Sequence, residues 1–316
     1  MRHAKRIAFF LLLVALKSTL CLAEIALTRV YQDDTGGTAY GVAVGNGFAF
    51  VSNNEGVSIY DIGHPEDPGF VTLYETPSGG AFDLSIIDSM LYVAAIRDGL
   101  MILDVANPAE PTLLGSYGHD VTCAFVHHQM AFVCQMGRSM ELVDVSDPAH
   151  PVLISRFDWG GDLGFAASGD IVYVTQPGRG IVLLDVADPR TIVERGVIPN
   201  TLTAYKLEAR DGTLYVSQFG QGISAFDIAD PLHPIRLVSF PNSGEAYVAS
   251  GVLPYICVAD LQEGVEVIDA SVASAPRLVA RETTLAPHAV FYADGYVHVA
   301  DQDEGYVVLR LAEQSE

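Results

Sequence analysis

The chain has 316 residues, of which 50% are apolar and 18% are charged. This composition allows a large buried core and excludes disordered and collagen-like chains. The formal net charge is −22, and a surface this acidic repels phosphate backbones and anionic head groups, which argues against general binding of nucleic acid or lipid.

The first 23 residues have the organisation of a secretory signal peptide. A basic start precedes a ten-residue apolar run at residues 7–16, and residues 21–23 place small side chains three and one positions before a cleavage point. A membrane anchor would need roughly 20 apolar residues, and a lipoprotein signal using Cys21 would place Leu20 where a small residue is required. We therefore expect cleavage after Ala23. The mature chain, residues 24–316, would be secreted or periplasmic, with 13 basic and 39 acidic groups and a net charge of −26.

One short acidic sequence motif recurs along the rest of the chain, and it divides residues 24–316 into seven units of about 42 residues. Successive copies begin 43, 40, 41, 42 and 42 residues apart, and the pattern fades 41 residues later at Arg310. The copies are DIGHPEDP at Asp61, DVANPAEP at Asp104, DVSDPAHP at Asp144, DVADPRTI at Asp185, DIADPLHP at Asp227 and DASVASAP at Asp269.

Each unit predicts four short strands. An apolar stretch with a small-aromatic start, such as Ala39-Tyr40, leads into a second run that ends in aromatic-Val-small. Glycine usually opens the third run, and the Pro-rich turn after the recurring Asp leads into a fourth. Short β-branched and aromatic runs between Gly, Asn, Asp and Pro are typical of strands. No stretch after the signal has convincing helical periodicity.

Seven units of four strands predict an all-β fold, a seven-bladed β-propeller. A straight solenoid is the alternative, but the termini favour a closed ring. Residues 25–33 (IALTRVYQD) resemble the fourth strand of the other units, and the last unit, residues 286–311, stops after three strands. We expect the N-terminal strand to complete the last blade, so that residues 24–316 form a single domain.

The recurring phrase, with its aromatic-Val-Ala and Gly-apolar elements, resembles the LVIVD repeat of secreted bacterial and archaeal β-propellers. The resemblance covers essentially all of residues 24–316 and weakens in the sixth and seventh units. It implies an exported propeller with no general activity and no fixed catalytic residues, so it transfers no functional positions to this chain.

The recurring Asp and the cysteines are predicted to be structural. A carboxylate that accepts backbone N–H bonds in the turn before Pro explains one Asp per unit better than repeated metal sites. Cys123, Cys134 and Cys257 have no zinc-site spacing. We expect them to be small buried residues, with a Cys123–Cys134 bridge as the alternative.

Departures from the repeat mark candidate binding positions. The loops between units and the turns between second and third strands should share one face, here called the upper face. Its turns carry Arg97, Arg138 and Arg179 on units 2 to 4, where guanidinium groups could bind carboxylate or phosphate. The alternative is that they are solvated loop charges. The neighbouring amides that could bind carbonyl or hydroxyl groups are Gln135, Gln176 and Gln218.

The first strands carry further candidates. Asp83 and Lys206 occupy the same register on units 2 and 5, and Lys206 is the one lysine of the mature chain. His288 should point toward the channel mouth near Asp260 and Asp301. These three could hold a divalent cation such as calcium or supply a general base, and a hydrogen-bonded structural histidine is the alternative.

These observations favour a non-enzymatic, exported recognition module that needs no cofactor. We expect its upper face and channel mouth to bind a protein segment or a small polar or anionic ligand, with the protein acting as a monomer or within an envelope complex. The alternative is a metal-assisted hydrolase or lyase at the channel mouth. No nucleophile elbow, phosphate loop, HExxH or haem-attachment motif is present.

Overall fold

In the part of the chain that the computed structural model describes, 28 strands form seven four-stranded antiparallel sheets. The described residues are 24–136, 139–159, 164–241, 245–283 and 286–314. The predicted signal peptide and Arg138 lie outside these ranges. Within them, no helix is long and apolar enough to cross a membrane.

Each sheet is one blade, and in blades 1 to 6 the strands follow chain order from the innermost to the outermost. Blade 1 is β2 (Ala39–Gly45), β3 (Phe48–Asn53), β4 (Gly56–Asp61) and β5 (Gly69–Glu75). Blade 2 is β6 (Asp83–Ile87), β7 (Met90–Ala95), β8 (Gly99–Asp104) and β9 (Thr112–Tyr117). Blade 3 is β10 (Val121–His127), β11 (Met130–Gln135), β12 (Met140–Asp144) and β13 (Val152–Phe157). Blade 4 is β14 (Phe165–Ser168), β15 (Ile171–Gln176), β16 (Gly180–Asp185) and β17 (Val193–Ile198).

The remaining blades repeat this order. Blade 5 is β18 (Ala204–Arg210), β19 (Thr213–Gln218), β20 (Gly222–Asp227) and β21 (Ile235–Phe240). Blade 6 is β22 (Ala246–Val252), β23 (Tyr255–Asp260), β24 (Gly264–Asp269) and β25 (Arg277–Glu282). Blade 7 is β26 (Pro287–Ala293), β27 (Tyr296–Asp301) and β28 (Gly305–Gln314), and β1 (Glu24–Asp33) completes it.

The predicted closure by the N-terminal strand is present. β1 pairs antiparallel with β28, from Glu24 opposite Gln314 to Asp33 opposite Tyr306. Apolar side chains also fill the junction between blades 7 and 1. Tyr60 of blade 1 packs on Tyr306 of blade 7 there, with ring centroids 4.6 Å apart. Pairing and packing together close the ring.

Apolar side chains fill the space between every two neighbouring blades. The middle strands of each sheet are buried on both faces, because each blade packs against a neighbour on either side. This explains the near-continuous β-branched and aromatic runs of the sequence. Seven clusters of buried residues, one at each junction between blades, account for the core of the described residues.

The recurring aspartates stabilise turns, as predicted. In six blades the Asp that ends the third strand accepts a hydrogen bond from the backbone N–H two residues later, at 2.8–3.1 Å. The carboxylate satisfies a turn donor that has no strand partner. The residues are Asp61, Asp104, Asp144, Asp185, Asp227 and Asp269.

The glycine that opens the third strand is required by both conformation and space. Gly99 has a φ of +79°, and a Cβ there would lie 2.4 Å from the carbonyl oxygen of Tyr117. A side chain would therefore be strained and would also clash with the neighbouring strand.

Candidate functional site at the channel mouth

The innermost strands of five blades carry a β-bulge near the upper end of the channel. In blade 1, Ala39 pairs with Asn53 and Gly41 pairs with Ser52, which leaves Tyr40 between them without a partner in the ladder. The same register shift occurs in blades 3, 6 and 7, and in blade 5 the shift spans the two residues between Ala204 and Leu207. A bulge re-aims the extra residue, and the residues at these positions that line the channel are Tyr40, Thr122, Lys206, Tyr247 and His288.

The bulges help to build an arc of aromatic rings around the mouth. Tyr40 stacks on Phe82 with centroids 4.4 Å apart and contacts His288 at 5.8 Å. His288 lies 4.4 Å from Tyr247, and Tyr247 lies 4.8 Å from Tyr205, where the two hydroxyls share a hydrogen bond of 2.8 Å. We call these five residues the aromatic collar. All five are half-buried, so part of each ring stays accessible.

The imidazole of His288 is held in one orientation. Its Nδ1 lies 2.8 Å from the carbonyl oxygen of Tyr40. A carbonyl oxygen only accepts, so Nδ1 must donate this hydrogen bond and carry a proton. In the neutral ring Nε2 is then the acceptor, which gives the collar one nitrogen able to accept a hydrogen bond.

Two opposite charges share the cavity that the collar surrounds. The cavity has a volume of about 220 Å³, is lined by first strands and includes both Asp83 and Lys206. The Lys206 ammonium lies 5.6 Å from the centroid of the Tyr205 ring. Asp83 Oδ1 accepts a hydrogen bond of 3.0 Å from the backbone N–H of Leu84. Both residues therefore lie in the wall of the central channel.

Both charges also act on one buried thiol of blade 3. Burial raises the pKa of Cys123, the hydrogen bond with Cys134 and the charge of Asp83 raise it further, and Lys206 lowers it. Cys123 and Cys134 face each other across β10 and β11. Both are buried and neither is in a disulfide, as predicted for small core residues.

The lower end of the channel is crossed by Arg210. Its guanidinium reaches from blade 5 to blade 7, where it donates to the carbonyl of Tyr292 and stacks 4.7 Å from the centroid of Phe291. Glu208 lies 3.7 Å from it, and burial raises the pKa of this carboxyl to about 7. A second cavity of about 750 Å³ lies below, lined in part by Arg210. This pair was not among the candidates predicted from the sequence.

Comparison with known families finds the predicted repeat in four of the seven blades, including the sixth, where a weaker resemblance was expected. The LVIVD repeat matches residues 36–76, 78–118, 126–158 and 254–284, which correspond to blades 1, 2, 3 and 6. The chain is an LVIVD-repeat β-propeller. No curated protein matches its sequence.

Solved structures resemble the LVIVD-repeat propeller in fold. The β-propeller domain of Myceliophteria thermophila Cps50 (Swd1) is 13% identical, with a TM-score of 0.69, covering 92% of this chain and 100% of that one. The computationally designed Ika8 protein is 10% identical, with a TM-score of 0.62, covering 91% and 99%. At these identities the similarity is one of fold.

The predicted glutamines of the propeller's upper face mostly bond inside their own blades. Gln218 is buried and accepts a hydrogen bond of 2.8 Å from Ser224. Gln135 donates to Glu141 at 3.1 Å. Strand-end amides here pair with polar residues of the next strand, so these two side chains support the turns of the upper face.

The structure describes two of the three predicted arginines, Arg97 and Arg179. Arg179 donates to Gln176 at 2.8 Å and forms an ion pair of 2.6 Å with Glu194 of its own blade. Arg97 is exposed at the β7–β8 turn. Arg138, the middle member of the predicted arc, lies outside the described residues. Arg179 is therefore paired with a carboxylate of its own blade.

The predicted metal site is not formed. Asp260 and Asp301 are fully buried, and each accepts two backbone N–H bonds from the hairpin turn that follows it, at 2.9–3.0 Å. His288 belongs to the aromatic collar. Across the described part of the chain, no three His, Cys, Asp or Glu side chains are arranged to hold a metal ion. The two carboxylates are turn caps, which corrects the sequence interpretation.

Proposed function

We propose that this propeller is an exported recognition module whose upper channel mouth binds a small polar ligand or a protein segment. The aromatic collar is the observation that carries the proposal. Accessible aromatic faces beside a few fixed polar groups are the usual lining of a ligand pocket. The collar surrounds a cavity that holds both Asp83 and Lys206.

The scaffold supports the same reading. The blades repeat one structural plan, and four of the five collar rings belong to the small-aromatic element of that repeat. His288, Asp83 and Lys206 depart from it. Function on such folds usually lies in variable positions placed on a rigid frame. The alternative hydrolase or lyase loses its main support, because its three proposed metal ligands do not come together.

Binding can be tested with a matched pair of variants. Wild-type protein, Tyr247→Ala and Phe70→Ala would each be immobilised and exposed to an envelope extract of the source organism, with retained molecules identified by mass spectrometry. Phe70 is 56% exposed on the outer strand β5 and is absent from the residues that line the channel mouth. We expect one species to be retained by wild type and Phe70→Ala and lost with Tyr247→Ala. Equal retention by all three would contradict the proposal.

Export has a separate test. The full chain would be expressed in its native host. We expect a protein in the envelope or medium whose intact mass corresponds to a chain that begins at Glu24. Uncleaved protein confined to the cytoplasm would contradict this part of the proposal without affecting the binding experiment.

A further inference from the structure

An apolar groove opens on the outer side of the propeller, between blades 4 and 5. It is lined by Leu183, by residues 196–199 of blade 4 and by residues 232–235 of blade 5, and its volume is about 340 Å³. We call it the outer groove. Leu232 and Ile235 are exposed along it, so an apolar surface faces solvent at this junction. Among the described residues, the outer groove and the channel mouth have no lining residue in common.

The outer groove is open because a turn that covers the equivalent position in blade 2 does not cover it here. Gly115 and Gly196 each pair with the residue two positions before the turn aspartate of their blade. A Cβ at Gly115 would lie 2.2 Å from the carbonyl oxygen of Pro148, whereas a Cβ at Gly196 would meet no atom of the described residues within 4 Å. The corresponding carbonyl of blade 5, that of Pro231, instead accepts a hydrogen bond of 2.8 Å from the Tyr173 hydroxyl. Space is therefore left beside β17.

A guanidinium group lies at one end of the outer groove. Arg236 follows the lining residue Ile235, and its Nη2 donates a hydrogen bond of 3.2 Å to the carbonyl oxygen of Asn200, which follows the lining residue Pro199. The guanidinium carbon lies 5.0 Å from the centroid of the Phe226 ring. Four other blades carry an apolar side chain in the register of Arg236, which is therefore a departure from the repeat. Those side chains are Phe70, Leu113, Leu153 and Leu278.

Arg236 differs from other arginines of the outer strands in its partner. Arg195 forms an ion pair of 2.6 Å with the turn aspartate of its own blade, whereas the hydrogen bond of Arg236 goes to a neutral backbone carbonyl. Asp230 lies in the turn that lines the groove, but its carboxylate accepts hydrogen bonds from the Leu232 N–H and the His233 ring. The acid of this turn is therefore directed into the turn, and the guanidinium remains the positive end of the groove.

An apolar groove that ends at a guanidinium suits a ligand with an apolar body and one anionic end. Arginine can bind a carboxylate through two parallel N–H···O bonds, and removal of an alkyl chain from water is favourable in proportion to its area. The chain as a whole has a net charge of −22, which repels anions at long range. A carboxylate without an apolar body should therefore bind poorly, because the alkyl chain supplies much of the attraction.

We propose that the outer groove binds a medium-chain alkyl carboxylate, with the alkyl chain against Leu232 and residues 196–199 and the carboxylate on the Arg236 guanidinium. The volume of about 340 Å³ equals that of roughly eleven water molecules, and an unbranched chain of about ten carbons occupies a similar space. The outer groove lies apart from the aromatic collar, so this inference is independent of the proposed function.

Isothermal titration calorimetry of the purified protein with three probes tests the ligand class. Decanoate has both the alkyl chain and the carboxylate, acetate has the carboxylate alone, and decyltrimethylammonium has the same alkyl chain with the opposite charge. All are used below the concentrations at which they form micelles. We expect decanoate to bind and each of the other two to bind at least about tenfold more weakly. Non-specific attraction to an acidic protein would favour the ammonium instead, so the net charge cannot produce the expected order.

Protein variants test the position of the ligand. Arg236→Gln removes the partner of the carboxylate and Leu232→Asn makes the groove polar, so each should weaken decanoate binding at least about tenfold. The matched controls are Arg310→Gln, at an exposed arginine of blade 7, and Leu113→Asn, at an exposed leucine of blade 2. Both controls should bind decanoate as wild type does. Urea unfolding identifies any variant that fails to fold, and the comparison of probes on wild-type protein does not depend on the variants.

The inference is overturned if decanoate does not bind, if decyltrimethylammonium binds as tightly as decanoate, or if the folded Arg236→Gln and Leu232→Asn variants keep the wild-type affinity. A fourth probe, the peptide acetyl-Gly-Leu-Leu, ends in a carboxylate beside apolar side chains. Tighter binding of this peptide than of decanoate would assign the outer groove to a peptide C-terminus and would also overturn the alkyl carboxylate.

Discussion

Replacing Glu208 by Gln should make stability fall more steeply as the pH drops from 8 to 5, and replacing His298 by Gln should have the opposite effect. Both wild-type side chains are enclosed by the protein, so burial disfavours the charged form of each. It raises the pKa of Glu208 to about 7 from its ordinary 4.5, and it lowers the pKa of His298 to about 4 from 6.5.

The signs follow from which state holds the proton. Between pH 4.5 and 7, Glu208 is protonated in the native state and ionised in the unfolded state, so its contribution to stability is full at low pH and is lost as the pH rises. Between pH 4 and 6.5, His298 is neutral in the native state and charged in the unfolded state. Its contribution is full at high pH and is lost as the pH falls.

The magnitudes are similar. Each pKa difference corresponds to about 3 kcal/mol of unfolding free energy. His298 is 1% exposed, whereas the Glu208 side chain is 22% exposed, so the Glu208 value is an upper bound. In wild type the pH dependences that Glu208 and His298 give to the unfolding free energy oppose each other from pH 4.5 to 6.5. When either residue is replaced, the pH dependence that comes from the other should become visible.

Urea unfolding at pH 5, 6, 7 and 8 measures the effect, expressed at each pH as the difference between variant and wild type. The variant Glu75→Gln, which removes an exposed carboxylate on β5, is the control and should parallel wild type. The reasoning is refuted if the Glu208→Gln and His298→Gln profiles also parallel wild type, or if they deviate in the same direction.

Three further predictions concern the scaffold. Gly47→Ala, at a left-handed position with no atom within 4 Å of the added Cβ, should lower the free energy of unfolding by about 1 kcal/mol. Gly99→Ala should lower it several times more in the same urea assay. Equal losses would contradict the role of the clash at Gly99. Arg281→Ala leaves Glu266, 3% exposed, without its ion-pair partner, and should cost about 3 kcal/mol. Adding Glu266→Val should recover most of that loss, because Val182 occupies the same register in blade 4; a double variant as unstable as the single one would argue against the pairing. Deleting β1 should expose the edge of β28 and produce oligomers by light scattering at concentrations where the full chain is monodisperse; a monodisperse, equally stable deletion would refute closure by this strand.

The fold was predictable because its determinants recur. Six copies of the turn aspartate and the glycine at the start of the third strand establish the period, and each has the same local role wherever it occurs. Closure was also readable from sequence, since residues 25–33 have the pattern of a fourth strand. These features depend on local chemistry repeated in register.

The site was less predictable because it depends on where each side chain points and which neighbour it meets. Gln218 was predicted to bind a ligand, but the next strand offers it the Ser224 hydroxyl, and pairing across a turn is not visible from one residue. Arg179 is long enough to reach Glu194 of its own blade. The small-aromatic start of each unit was recognised as a repeat element. Its bulge was not, because one extra residue in a ladder leaves no clear trace in composition.

The pairing of β1 with β28 also affects the order of folding. Residue 24 must meet residue 314, whereas blades 1 to 6 each form from a contiguous segment of the chain. Closing the longer loop costs about 2 kcal/mol more in chain entropy than closing one blade. We therefore expect blade 7 to be completed last, although its outer strand precedes all the others in the chain. Until then β28 has an open edge, at which the β1 of a second copy could pair instead of the chain's own β1.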